Sequence, residues 1–169
     1  MKNFARFPLA ISLGLLLLLT SIPAGAVNLR PGDPAPEFSL PDIDGNAVTL
    51  SGLRDKTVVL VFWSTWCSRC SEEMTFLRDT FGGRDDLVVL LINQDSERMV
   101  QKERIVEMRD RLSLPFPIIV DSGLVLWDRF GINALPTSIV IGKDGLTIYA
   151  ESNFYWASPE KLLAAIPKR

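Results

Sequence analysis

Short apolar runs recur along the chain, each bounded by turn-forming or charged residues. TVVLVF at residues 57–62 and LVVLLI at 87–92 are continuous and rich in β-branched side chains, the pattern of strands buried on both faces. FPIIV at 116–120 predicts a third strand, and TSIVI (137–141) with LTIYA (146–150) predicts a hairpin across Lys143-Asp144-Gly145. Between these runs the period lengthens. Met74, Leu77 and Phe81 make one helical stripe that Gly82-Gly83 stop. Residues 96–112 are heavily charged, yet Ile105, Met108 and Leu112 again share a face, with Ser96 placed to cap the start. A short helix is expected from Ser122 to Phe130, closed by Gly131. A last one begins at Ser158-Pro159-Glu160, with Ser158 as cap and Pro159 at the first helical position. Upstream, EFSL and AVTL flank PDIDGN, whose Asp44-Gly45 predicts a small N-terminal β-hairpin. The segment VNLRPGDPAP (27–36) reads as an extended lead-in.

The predicted order is hairpin, β, α, β, α, β, α, β, β, α, with no internal repeat. Strands alternating with helices imply an α/β fold whose central sheet is largely parallel and covered on both faces. The closing hairpin adds an antiparallel edge, so the sheet is mixed.

The first residues change the picture of where this domain works. Lys2 and Arg6 precede an apolar stretch from Phe7 to Ile22, followed by Ala24-Gly25-Ala26, the layout of a signal peptide with a small-residue cleavage site. The stretch is shorter than the roughly 20 residues of a membrane-spanning helix, and Pro8 and Pro23 bracket it. The expected organisation is therefore a signal peptide at 1–26 and one domain at 27–169. The alternative is an uncleaved N-terminal anchor that tethers the same domain; either places it in a periplasmic or other extracytoplasmic compartment. Cleavage leaves 143 of the 169 residues and moves the net charge from −2 to −4. No basic run or stripe points to nucleic acid.

Two cysteines, Cys67 and Cys70, are the whole complement, and they lie together in VFWSTWCSRCSEEM (61–74). A redox couple, half of a metal site and a structural disulfide all fit a Cys-x-x-Cys spacing. Zinc sites require two further ligands, normally Cys or His, and the chain has no third Cys and no His; no metal is expected. A structural disulfide across so small a loop gains little chain entropy. In the predicted layout Cys67 falls where a strand ends and a helix begins, where open α/β sheets place their sites. The N–H groups and partial positive charge of that helix terminus favour a thiolate. Cys67 is thus expected to be the more acidic and exposed thiol, and Cys70, one turn inward, the buried one. A thiolate that attacks a disulfide forms a mixed disulfide, and a neighbouring thiol resolves it.

FWSTWCSRC resembles the thioredoxin active site, and GINALPTSIVIGKDG (131–145) resembles the segment that carries that family's cis-proline. GDPAPEFSLPDIDGNAVTLSGLRDKTVVLVFW is similar to the N-terminal region of the exported TlpA-like and ResA-like thioredoxins, which are related to the AhpC/TSA redoxins. The similarity runs from about Arg30 to Ala165. It implies a thioredoxin-like fold with an N-terminal β-hairpin and a helix–strand insertion after the second core strand. It makes Cys67 the attacking and Cys70 the resolving thiol, and Leu135-Pro136 a cis peptide where an extended client pairs with the backbone of residue 135. Trp66 would form an apolar rim, while Trp63 fits rim or core equally. Without the cysteine motif, Pro136 would read as an ordinary loop proline.

This sequence departs from the family pattern at two positions. Thioredoxins keep a buried Asp six residues before the first cysteine, where Val61 stands here; ResA-like members instead keep a Glu three residues after the second, which Glu73 matches. Glu73 is the candidate general base for Cys70, against its reading as a solvated neighbour of Glu72. Arg69 takes the place of the usual proline between the cysteines, and its guanidinium would favour the Cys67 thiolate and raise the potential. The aromatic stretch NFYW (153–156) can serve as a docking surface or pack on the last helix.

The resemblance implies a thiol:disulfide oxidoreductase without a cofactor. Its partners would be exported cysteine-containing proteins, cytochrome c apoprotein among them, and a membrane thiol carrier of the DsbD or CcdA type. Two rivals stand. A peroxiredoxin-like peroxidase is echoed by Ser64-x-x-Cys67, although the proline expected four residues before Ser64 is Leu60. A non-catalytic binding or chaperone module would use the Pro136 groove and the aromatic loop.

Overall fold

The computed structural model describes residues 28–95, 102–154 and 158–168. The signal-peptide reading, the Ser96 cap and the Tyr155 and Trp156 part of the aromatic stretch lie outside them. Among the described residues no helix is long and apolar enough to cross a membrane.

The N-terminal hairpin pairs β1 (Ser39–Pro41) with β2 (Ala47–Thr49). Its turn is organised by Asp42, whose carboxylate accepts hydrogen bonds from the backbone of Asp44 and Asn46 and from the Asn46 amide, while Gly45 adopts φ +91°. A 3₁₀ turn over Leu50–Leu53 leads into β3 (Thr57–Trp63), every residue of which is buried. Then follow α1 (Ser68–Phe81), β4 (Leu87–Asn93), α2 (Lys102–Arg111), β5 (Ile118–Val120), α3 (Val125–Arg129), β6 (Thr137–Ile141), β7 (Thr147–Ser152) and α4 (Ser158–Ala165).

The five-stranded sheet has the order β5-β4-β3-β6-β7, parallel across β5, β4 and β3 and antiparallel from β3 to β6 and from β6 to β7. The mixed sheet expected from the sequence is therefore present, with the α2–β5 insertion supplying one edge strand. It is not largely parallel, however: β6 pairs antiparallel with the central strand β3 as well as with β7, so the antiparallel part is half of the sheet and not an added edge. Alternation along β3 divides the core. Val59, Val61 and Trp63 face α1, α2 and α4, packing with Met74, Leu77, Ile105 and Leu162. Val58, Leu60 and Phe62 face the opposite layer of Phe38, Leu50, Leu126 and Phe130. Trp63 is wholly buried and belongs to the core, not the rim.

The α3 helix is shorter than the Ser122–Phe130 expected. Leu124 turns into the left-handed region at φ 56°, and the Asp121 carboxylate accepts the backbone N–H groups of Leu126 and Trp127, both at 3.0 Å. The capping carboxylate thus comes from the end of the preceding strand and starts the helix at Val125, past Ser122.

Candidate functional site

The apolar strand β3 ends at Trp63, and the chain turns through Ser64, Thr65 and Trp66 into α1. The Thr65 N–H donates to the carboxylate of Asp95 at 3.1 Å, and Asp95 is itself buried and held by Asn93. This polar clamp at the end of β4 fixes the turn that carries Trp66 and Cys67.

Cys67 occupies the N-cap of α1, where its Sγ accepts the Cys70 N–H at 3.2 Å. A sulfur in that position takes the place of the oxygen of an ordinary capping side chain, and developing negative charge on it is stabilised by the helix terminus. Cys67 and Cys70 are joined in a disulfide, with Cα atoms 5.3 Å apart. Cys67 keeps 9 % of its surface exposed and Cys70 none. The order of exposure matches expectation, although Cys67 shows solvent only an edge.

Glu73 lies one turn beyond Cys70 on the buried side of α1, 2 % exposed, whereas Glu72 points to solvent. Its Oε1 accepts a 2.5 Å hydrogen bond from the Ser138 hydroxyl, and its Oε2 has no partner among the described residues. Burial pushes the Glu73 carboxyl up to about 7, against the opposing influence of the Ser138 hydrogen bond. Ser138 stands directly opposite Val61 in the β3–β6 pair, and directly opposed residues share a face of the sheet. The buried carboxylate missing from Val61 is therefore supplied at the same place in the fold by a side chain from α1. A cavity of about 10 Å³ touches Glu73, Ser138, Pro136, Tyr149 and Glu151, space for about one water.

Leu135-Pro136 is a cis peptide, and Leu135 packs against the cluster that contains both cysteines. Trp66 is 63 % exposed and shares a pocket with Leu135, so the residue before the first cysteine and the residue before the cis-proline border one groove. Arg69 is exposed and donates to the Phe154 carbonyl at 3.4 Å, which aims its guanidinium across the site toward the β7–α4 loop. Phe154 packs its ring 5.9 Å from that of Phe76 on α1; this part of the aromatic stretch packs inward.

All the predicted site residues thus gather at the N-terminal end of α1. Sequence reasoning missed Ser138, Asp95 and Gln94, three polar residues buried at strand ends. For Gln94 and Asp95 the available signal was the run NQD directly after an apolar strand, which reads most simply as a loop; Ser138 lies inside the strand TSIVI and carried no signal of its own. No group of three or more metal-ligating side chains occurs among the described residues.

The chain belongs to the AhpC/TSA family, whose model matches residues 31–150. The thiol-disulfide oxidoreductase ResA of Halalkalibacterium halodurans is 36 % identical over 117 residues, 69 % of this chain and 65 % of that protein. ResA of Bacillus thuringiensis is 31 % identical over 117 residues, 69 % and 66 % of the two chains. The chain therefore spans just under two thirds of the length of these relatives. In three dimensions it is similar to a Chlorobium tepidum protein assigned as the thiol:disulfide interchange protein DsbE, with a TM-score of 0.73 at 24 % identity over 81 % of this chain and 95 % of the other. A secreted disulfide oxidoreductase of Mycobacterium tuberculosis gives 0.65 at 21 % identity over 76 % and 92 %. These likenesses establish the thioredoxin-like fold.

Proposed function

We propose that this member of the AhpC/TSA family is an extracytoplasmic thiol:disulfide oxidoreductase that reduces disulfides in exported proteins. The observation that carries the reading is the pairing of a helix-capping, partly exposed Cys67 with a buried Cys70 that has its own buried carboxylate one turn away. A structural disulfide has no use for a buried ionisable carboxyl one helical turn from its inner cysteine, and exchange chemistry does. Kinship with the ResA oxidoreductases supports the same activity.

In the reduced protein the Cys67 thiolate attacks one sulfur of the client disulfide. A mixed disulfide forms and the other client sulfur leaves as a thiolate. Glu73 takes the proton of Cys70, whose thiolate then attacks Cys67 Sγ; the Cys67–Cys70 bond forms and the second client thiolate departs. Two electrons pass to the client, whose thiolates take up protons from solvent. A membrane thiol carrier of the DsbD or CcdA type would return the electrons by reducing the Cys67–Cys70 bond, and cytochrome c apoprotein thiols are one fitting client. Cys67, Cys70 and Glu73 act on the reacting sulfurs, Trp66, Leu135 and Pro136 bind the client, and Arg69 tunes the potential. The export reading rests on residues 1–26 and their signal-like layout.

The reduction potential, measured by equilibration against glutathione and dithiothreitol buffers, tests the direction. A value near the roughly −270 mV of thioredoxin supports a reductant; one near the roughly −120 mV of DsbA contradicts it. Rapid turnover of hydrogen peroxide would instead favour the peroxidase rival. Client binding unchanged after Cys67→Ser and Cys70→Ser together would favour the binding module.

A further inference from the structure

Beside Trp66, the residue before Cys67, lies a pocket of about 250 Å³ walled by Trp66, Leu124, Trp127, Ala134 and Leu135, with Gln94 and Asn133 as its polar lining residues. Gln94 is 6 % exposed, and neither its Oε1 nor its Nε2 has a hydrogen-bond partner among the described residues. Its backbone is held just past the end of β4 by donation to the Trp63 carbonyl at 2.7 Å, which fixes where the side chain starts. A buried carboxamide without partners is costly in a folded chain and marks a place where another group completes it.

Resting on the oxidoreductase reading, we propose that this pocket seats a carboxamide side chain, Asn or Gln, that neighbours the reacting cysteine of the client. Three features select that occupant. The walls are two indoles, two leucines and Ala134, with Asn133 as the one polar neighbour of Gln94 in the lining, which suits a planar, uncharged group. No charged side chain lines the pocket, so a carboxylate or ammonium entering it would be stripped of water without a counter-charge. Gln94 offers one donor and one acceptor side by side, and a primary amide answers both, whereas an aliphatic side chain leaves both unmet. Trp66 and Leu135 themselves line the pocket, so a client chain lying along Leu135 presents a flanking side chain to it.

The test uses the full chain in its reduced form and disulfide-bonded peptides carrying Gln, Glu or Leu next to the attacked cysteine, in one series before it and in another after it. The Gln peptide of one series should be reduced about tenfold faster than its Leu and Glu counterparts, the scale of two net hydrogen bonds. Gln94→Leu should slow the Gln peptide alone and erase the preference, leaving turnover of hydroxyethyl disulfide unchanged; Gln94→Met carries the same prediction if Gln94→Leu fails to fold. The proposal is overturned by equal rates in both series, by a Glu peptide as fast as the Gln peptide, or by a preference that survives both variants. If the wild-type chain reduces neither the peptides nor hydroxyethyl disulfide, the oxidoreductase reading fails first and the pocket assignment falls with it.

Discussion

The outer half of the site, Trp66 and Cys67, meets solvent at the start of α1, whereas the inner half, Cys70, Glu73 and Ser138, is sealed against the sheet. The two halves are three residues apart and want opposite things. In the proposed function, attack on another protein needs a sulfur that reaches solvent and tolerates negative charge; Cys67 keeps an edge exposed, and a capping position favours that charge. Resolution needs a thiol that stays protonated and inert until the mixed disulfide exists, and then loses its proton on demand. Burial supplies the first condition, and a carboxyl held near neutrality supplies the second.

The sharpest way to break this division is to remove one sulfur at a time. Cys70→Ser should accumulate client mixed disulfides through Cys67 with turnover abolished, and Cys67→Ser should accumulate almost none. Peptide mapping of the trapped species decides it; a bond to Cys70 in Cys67→Ser would reverse the roles.

A smaller effect tests the inner half alone. The folded chain keeps Glu73 neutral up to about 7, against its ordinary 4.5. Below pH 4.5 the group is protonated folded and unfolded, and nothing is lost. As pH rises from 4.5 to 7 the unfolded chain releases its proton and the folded chain does not, so stability falls, by up to about 3 kcal/mol. Glu73→Gln lacks this slope and should gain on the wild type across that window in urea unfolding of the oxidised proteins. Parallel stability curves would mean that Glu73 is hydrated in the folded chain.

The smallest effect belongs to the outer half. Arg69→Pro should lower the reduction potential by on the order of 10–30 mV, because an exposed charge directed toward the Phe154 carbonyl contributes weakly to the thiolate. A shift of 100 mV would place the guanidinium much closer to Cys67 in the reduced protein.

Much of this could be read before any coordinates. The strands β3 and β4 are legible because strands buried on both faces leave continuous apolar runs, and α1 because Met74, Leu77 and Phe81 repeat at helical spacing. The cysteine pair is legible because elimination works on a chain without His. Glu73 was harder. Two adjacent glutamates look alike in sequence, and only their phase distinguishes them: Glu73 falls on the stripe of Cys70, Met74 and Leu77, and Glu72 falls off it. The start of α3 was not legible because Ser122 looks as good a cap as Asp121, whose carboxylate reaches five and six residues on to Leu126 and Trp127. The pocket beside Trp66 was not legible because it joins Gln94 to Trp127 and Leu135, which the sequence leaves distant. A polar residue following a strand carries no mark of whether it ends in water or under a tryptophan.

The most direct test of the account is the rate of the resolving step as a function of pH, in single-turnover reactions of the reduced wild type and of Glu73→Gln with one disulfide peptide. Formation of the Cys67 mixed disulfide should proceed equally in both. Its resolution by Cys70 should rise through an inflection near pH 7 in the wild type, and in the variant should lose that inflection and slow by about 100-fold at pH 8. An inflection that persists in Glu73→Gln, or equal slowing of both steps, would contradict the assignment of Glu73 to Cys70.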